Sequence, residues 1–519
     1  MSTSRFGRRS FLGGSINLGL GAAVTAITGG GLDLLDLPGA AASETRREAA
    51  LSAASGNPSS LTLPPPEPPG AWSFVSRPDL KPPGVTIAKA AGFGVSPLTP
   101  RCIFAAPSGS VAGSQSGLMI LDLNGDLIWF KPLTGGDESP LNFRVQTYKG
   151  HSVLTWFQGT IGVGYGIGGT CVVMNSSYDQ VAAVTAKNYP TDLHEFLLTP
   201  EGTALITAYE PTSSIVIGHA QELDVASGDL VFDWPCHPAV SPSESYTGST
   251  GDYFHINSID LWPGAERNLL ISGRNCCAVY LVERSTKKVL WRLHGKKSDF
   301  TTNGSTQFWF QHDARALADG SGLSLFDDAS QPCPEKQSWG KVMTLDQRTK
   351  TTIIRSEYRH TTASLDAGSQ GNCQLLPTGG HFIGWGAEPY FSEFLPTGSE
   401  LQGALVLDGR FPTGIITYRS FTFDWVGSPP MSELNLAVLP GAATGEFIAF
   451  ASWNGATNVA SWQVEVGTSP SSLASYAIVP KNGFETSIPL TYSGATSFRV
   501  LGINSQGRVI GQSQVVSPT

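Results

Sequence analysis

Three of the chain's nine histidines recur at one structural phase. His194 lies eight residues before Gly202 and His312 eight before Gly320. His255 lies nine before Gly264, where the turn Trp262-Pro263-Gly264-Ala265 is one residue longer. Each glycine marks the turn of a short hairpin, so the three side chains hold corresponding strand positions. The same offset gives Asn142 in the preceding hairpin and Gly371 in the following one. Imidazole serves as nucleophile, general acid or base, or metal ligand. Asn257, two residues beyond His255, is expected on the same strand face. Arg274 ends the run Leu270-Ile271-Ser272-Gly273-Arg274, and hairpin pairing is expected to return it toward His255. A guanidinium fork and a carboxamide beside histidines suit an anion with several oxygens. Three convergent histidines also suit Zn²⁺ with an open fourth position, but an arginine in the ring repels a dication. The reading therefore expects no metal and no cofactor. The run Gly162-Val163-Gly164-Tyr165-Gly166-Ile167-Gly168-Gly169 precedes no helix, so it reads as a loop rather than a dinucleotide site. His151, His219, His237, His294, His360 and His381 share no phase and read as surface or packing residues, His294 least securely.

The elements that must position these side chains come from an internal repeat. An apolar alternation, an acidic or amide residue, a turn and a second apolar run recur six times, at Asp122, Asn175, Asp224, Glu283, Asp346 and Asp408. The intervals are 53, 49, 59, 63 and 62 residues. Between consecutive copies lies the histidine-type hairpin: 142–157, 193–209, 254–274, 311–326 and 371–385. Two hairpins per period make a four-stranded sheet, and six such sheets set radially make a six-bladed β-propeller over 74–426. If the histidine strands are the inner ones, His194, His255 and His312 converge on one mouth of the central channel. A sixth histidine-type hairpin is absent from the sequence, and residues 85–107 are expected to complete the ring by adding a strand to the last blade. After Ser428-Pro429-Pro430, about seven short strands and a tryptophan suit a fibronectin type III/Ig-like β-sandwich over 427–519. The fold class is thus all-β, a propeller followed by a sandwich.

Composition agrees with this class. Of 519 residues only 14% are charged, while glycine (59) and proline (35) supply many turns. A net charge of −9 lacks the basic footprint of nucleic-acid binding, so no nucleic acid partner is expected. Mean hydropathy is −0.03, and no long apolar run follows the first forty residues, so no integral membrane span is expected in the mature chain. Residues 1–42 read as an export signal: Arg8-Arg9 before Phe11-Leu12, a weakly apolar stretch, then Ala40-Ala41-Ala42. The paired arginines resemble the twin-arginine signal that exports folded proteins, which implies an extracellular or cell-envelope location. Residues 43–73 read as a proline-rich disordered or extended linker. Seven cysteines leave at least one unpaired in a monomer, and the adjacent Cys276-Cys277 reads as one disulfide half beside a buried thiol.

At this point the chain resembles the bacterial arylsulfotransferase family, in the branch found in actinobacteria and fungi. The resemblance runs from about residue 74 to the C-terminus. It rests on Asp192-Leu193-His194-Glu195-Phe196, Phe254-His255-Ile256-Asn257-Ser258-Ile259-Asp260, Ser272-Gly273-Arg274-Asn275 and Gln311-His312-Asp313-Ala314-Arg315. It implies transfer of a sulfuryl group from an aryl sulfate ester to a phenolic acceptor, without a nucleotide sulfate donor, by a ping-pong cycle through a sulfurylated histidine. By the same resemblance His312 is that nucleophile. His255, Asn257 and Arg274 surround the sulfuryl oxygens, and His194 stands at the phenolic oxygen as acid/base. The chain departs from the characterised branch in carrying a C-terminal sandwich and no counterpart of that branch's N-terminal domain. Two other classes fit the same residues: a non-catalytic propeller binding glycans or another envelope component, and a metal- or redox-dependent propeller hydrolase.

Overall fold

The repeated acid or amide makes structure by closing a turn. Asp122 Oδ1 accepts the backbone N–H groups of Asn124 and Asp126 at 2.7 and 2.9 Å, between strands Gly117–Leu121 and Leu127–Pro132. Asn175, Asp224 and Asp346 each accept two backbone N–H groups in the same way. Asp408 departs from the pattern. It is buried, accepts from Ser392 Oγ at 2.9 Å and pairs with His360 Nε2 at 3.0 Å.

The computed structural model describes residues 59–93, 101–109, 111–133, 139–330, 336–397 and 401–519. The proposed signal and Cys333 lie outside these. Six antiparallel sheets span Thr86–Asp424. Sheet I orders its strands Ile415–Asp424, Arg101–Gly109, Gly117–Leu121 and Leu127–Pro132. Sheets II to V each use four consecutive strands, beginning with Ser139–Tyr148, Thr191–Leu198, Ile256–Leu261 and His312–Ala316. Sheet VI begins with Asn372–Leu375 and ends on Ala404–Arg410, against which Thr86–Lys89 adds a fifth strand.

Strand alternation buries both faces of a sheet. In Arg101–Gly109, Cys102, Phe104 and Ala106 face a core shared with Phe143, Leu154 and Trp156 of sheet II. Ile103 and Ala105 face the opposite core, shared with Phe382, Phe391 and Leu407 of sheet VI. Comparable apolar layers separate II from III, III from IV, IV from V and V from VI. The six edge strands, Ile415–Asp424 and the first strand of sheets II to VI, each contact the next in this order, and the last contacts the first. The strands that carry His194 and His312, and the strand that His255 precedes, therefore meet at the inner edges.

Two described strands that begin within 85–107 join the sheets at the ends of this region. Thr86–Lys89 joins sheet VI, while Arg101–Gly109 pairs with Ile415–Asp424 in sheet I. The missing sixth hairpin is this second pairing, made by strands from opposite ends of the region.

Residues 59–73 of the expected linker form no helix or strand and are tied to sheet VI: Leu61 N–H donates to the Leu405 carbonyl, and Glu67 accepts from Thr413 N–H at 2.8 Å and pairs with Arg410. Beyond Trp425, two sheets of three and four strands over Leu434–Gln512 pack about Val438, Trp453, Trp462, Val464 and Phe498. The Asn454 carboxamide accepts from Phe130 N–H (2.9 Å) and donates to Phe130 C=O (3.0 Å), acting as a short strand partner on the outer edge of sheet I. Cys276 and Cys277 are both free and buried, as are Cys171, Cys236 and Cys373, which corrects the disulfide reading of the adjacent pair. The Cys276 sulfur faces the core between sheets III and IV, beside the Tyr253 carbonyl. Among the described residues no helix is long and apolar enough to cross a membrane.

Candidate active site

Five of the six inner strands carry a register shift at the same level. It falls at Asn142-Phe143, within 192–195, at Asn257, at Asp313-Ala314 and at Tyr418-Arg419. A bulge breaks the simple alternation and re-aims the side chains beside it, a common device at sites.

Each histidine of the ring is gripped at Nδ1 by its own aspartate. His194 Nδ1 lies 2.7 Å from Asp192, His255 Nδ1 2.5 Å from Asp252, and His312 Nδ1 3.0 Å from Asp328. In each case Nε2 is left as the acting nitrogen. The rings of His194 and His255 are 4.7 Å apart, edge to face. Burial resists ionisation of Asp192. Even so, His194, the Thr207 hydroxyl and the Gly166 amide outweigh it and hold the carboxyl below its usual range. Burial foremost lowers the His194 imidazole.

His312 is buried, and its Nε2 accepts the backbone N–H of Gln370 at 3.3 Å. An amide N–H only donates, so Nε2 holds the lone pair and Nδ1 the proton that faces Asp328. Burial, then the charge of Arg274 and the neighbouring His194 and His255, hold this imidazole well below 6.5, so it is neutral. Burial raises the Asp328 carboxyl well above its usual range, with Arg274 opposing. The Arg274 guanidinium stands 3.5 Å from Asp328, donates to the Gly368 carbonyl at 2.8 Å and lies over the Phe310 ring. Its backbone N–H donates to the His255 carbonyl at 3.0 Å, so the hairpin does return it to His255.

Asn257 reaches the site by a different route from the one expected. His255 precedes the strand with φ +53°, and Asn257 occupies the bulge, so alternation does not set both on one face. The Asn257 amide donates instead to the Gln311 carbonyl at 2.7 Å, next to His312, and its Oδ1 is buried without a partner.

Sequence reasoning missed the three aspartates and Arg419. Asp192 and Asp252 lie two and three residues before their histidines, a signal open to inspection. Arg419 is fully buried on the inner strand of sheet I; it donates to the Asn257 carbonyl (2.8 Å) and Asn142 Oδ1 (3.2 Å). It also approaches Asp313 (3.5 Å) and Glu195 (3.7 Å), a carboxylate shared with Arg144 and Arg315 at 2.6 Å each. His294 packs, with Nδ1 on the Cys277 carbonyl and its ring on Phe308. Among the described residues no group of three or more His, Cys, Asp or Glu is arranged to hold a metal ion.

No curated protein matches the chain. Among solved structures, a Bacteroides caccae protein of unknown function is 13% identical with TM-score 0.37, over 63% of this chain and 99% of that one. TolB from Acinetobacter baumannii is 12% identical with TM-score 0.36, over 64% and 67%. A streptogramin B lyase is 9% identical with TM-score 0.33, over 63% and 98%. These overlaps are too loose to bear on fold or reaction. A family model does match: Arylsulfotransferase (ASST), over residues 144–403, a span that contains His194, His255, Asn257, Arg274 and His312. With half of its length matched, the chain belongs to the arylsulfotransferase family.

Proposed function

We propose that this protein is an exported sulfotransferase that moves a sulfuryl group from an aryl sulfate ester to a phenol through a sulfohistidine at His312. Family membership supports the aryl sulfotransferase activity. The observation that carries the mechanism is the His312 ring: neutral, with Nδ1–H on Asp328, its lone pair at Nε2, and Arg274 alongside. In the first half-reaction Nε2 attacks sulfur, the N–S bond forms, the S–O bond to the aryl group breaks, and phenolate leaves. Positive charge that develops on the ring is met through Nδ1–H by Asp328, whose raised carboxyl is suited to share that proton. Arg274 stabilises charge on the sulfuryl oxygens. In the second half-reaction the acceptor phenol gives its proton to His194 Nε2 and attacks sulfur. The N–S bond breaks, His312 is restored, and His194 passes its proton to the solvent or to the next leaving phenolate.

The architecture that holds these groups is read as a six-bladed β-propeller over 74–426, followed by a fibronectin type III/Ig-like sandwich over 427–519. The twin-arginine-type reading of Arg8-Arg9 supports an extracellular or cell-envelope location for the working protein.

The test is nitrophenolate release by the full-length protein from 4-nitrophenyl sulfate, with and without a phenol, together with intact mass after donor alone. Acceptor-dependent release and one sulfuryl adduct, lost in His312→Ala, are expected. Release without acceptor would identify a sulfatase, and neither release nor adduct across several donors would leave a binding module.

A further inference from the structure

The glycine-rich run that the sequence marks as a loop is the tip of a hairpin, between strands His151–Ile161 and Gly166–Met174 of sheet II. Gly162 N–H donates to the Tyr165 carbonyl at 2.8 Å, and Gly164 N–H to the Gly162 carbonyl at 2.9 Å. Gly164 has φ +86°, and a Cβ there would stand 3.8 Å from His255 Cε1. The tip thus lies directly against a ring histidine. Tyr165 packs on Tyr209 with centroids 4.6 Å apart, and Tyr209 lies 6.4 Å from both His194 and His255. The Tyr209 hydroxyl donates to the Ile256 carbonyl at 3.1 Å, which fixes its ring. Gly166 N–H donates at 2.6 Å to Asp192 Oδ1, while Oδ2 of the same carboxylate holds His194. The hairpin is therefore bolted to the site.

Three aliphatic side chains on this tip are in water: Ile161 at 39%, Val163 at 94% and Ile167 at 52% exposure. Single exposed aliphatics are ordinary, but three on one hairpin tip, beside a half-buried Tyr165 that packs on the buried Tyr209, are informative. Ring contacts link the tip through Tyr165 to the buried Tyr209 and on to His194 and His255, and no charged residue interrupts residues 161–169.

We propose that this tip selects the acceptor: it receives an apolar substituent of the phenol, so the preferred acceptors are phenols with extended hydrophobic groups. This rests on the sulfuryl-transfer reading for the reaction but on the hairpin alone for the selectivity. The phenol ring stands at the histidines, and the aliphatic tip beside His255 covers what projects beyond it.

The test uses full-length protein and the series from 4-methylphenol to 4-heptylphenol. Affinity is read by calorimetry without donor, and kcat/KM as acceptor is read with 4-nitrophenyl sulfate. Each added methylene is expected to raise both by about two- to fourfold until the tip is covered. Val163→Asp is expected to flatten both series, leaving 4-methylphenol and the first-turnover burst from donor unchanged. A flat series in wild type, or an unchanged slope in Val163→Asp and in Ile161→Ser, overturns the proposal. Transfer with a flat series sinks this proposal alone. Chain-length-dependent binding that Val163→Asp abolishes, with no transfer to any phenol, sinks the reaction and leaves the apolar site standing.

Discussion

The backbone N–H of Gln370 meets Nε2 of His312 across 3.3 Å, while Asp328 holds Nδ1 of the same ring at 3.0 Å. The two contacts together choose the tautomer. A carboxamide at 328 would offer an N–H as well as a carbonyl, and the N–H would pull the ring toward the wrong one. Asp328→Asn is therefore expected to fold and yet lower the rate of sulfuryl uptake by about 10²-fold or more, by analogy with other aspartate-oriented histidines. Single-turnover mass spectrometry of the adduct reads this directly, and near-normal uptake would remove Asp328 from the mechanism.

The pH profile follows from the same ring. The unprotonated imidazole is the nucleophile, and burial with Arg274 beside it lowers its pKa well below 6.5. The burst rate with donor alone is expected to stay level from about pH 8 to about pH 6 and to fall only in more acid solution. A half-maximal rate at or above 6.5 would show that His312 is not buried neutral.

Arg419 ties the inner edges of several sheets at once, through Asn142, the Asn257 carbonyl, Asp313 and Glu195. Its removal leaves two buried carboxylates with fewer partners. Arg419→Met is expected to cost about 3–5 kcal/mol, read as a lower urea midpoint at unchanged slope. An unchanged midpoint would mean that Arg144 and Arg315 suffice.

His381 gives an acid-sensitivity that is separate from the site. It is buried against Tyr358, neither ring nitrogen has a partner, and burial foremost lowers its pKa to about 3. Above pH 6.5 the residue is neutral folded or unfolded and contributes no pH dependence. Between 6.5 and about 3 only the unfolded chain takes the proton, so stability falls as pH falls, by about 1.4 kcal/mol per unit. His381→Leu is expected to gain about 2 kcal/mol on wild type between pH 7.5 and pH 5, measured by urea unfolding at both. An equal gap at the two values would show that His381 is hydrated.

What the sequence determined by itself is what contiguous residues can encode. Turn-closing side chains such as Asp122 and Asn175 act on amides two and four residues away, so the repeat, the hairpins and the common phase of His194, His255 and His312 were open to reading. Alternation failed at Asn257, where a bulge intervenes. Tertiary structure alone decided the rest. The strand that carries Arg419 finds its partner at Arg101–Gly109, so no contiguous hairpin existed to align and its inner position had no local signature. Asp328 reaches His312 across a hairpin, Gln370 arrives from the next sheet, and Gly164 of sheet II is set against His255, at the entry of sheet IV, by the packing of sheets II, III and IV. Local hydrogen bonds and periodicity are properties of a short stretch of chain. Protonation, orientation and access depend on groups that only packing of all the sheets brings together.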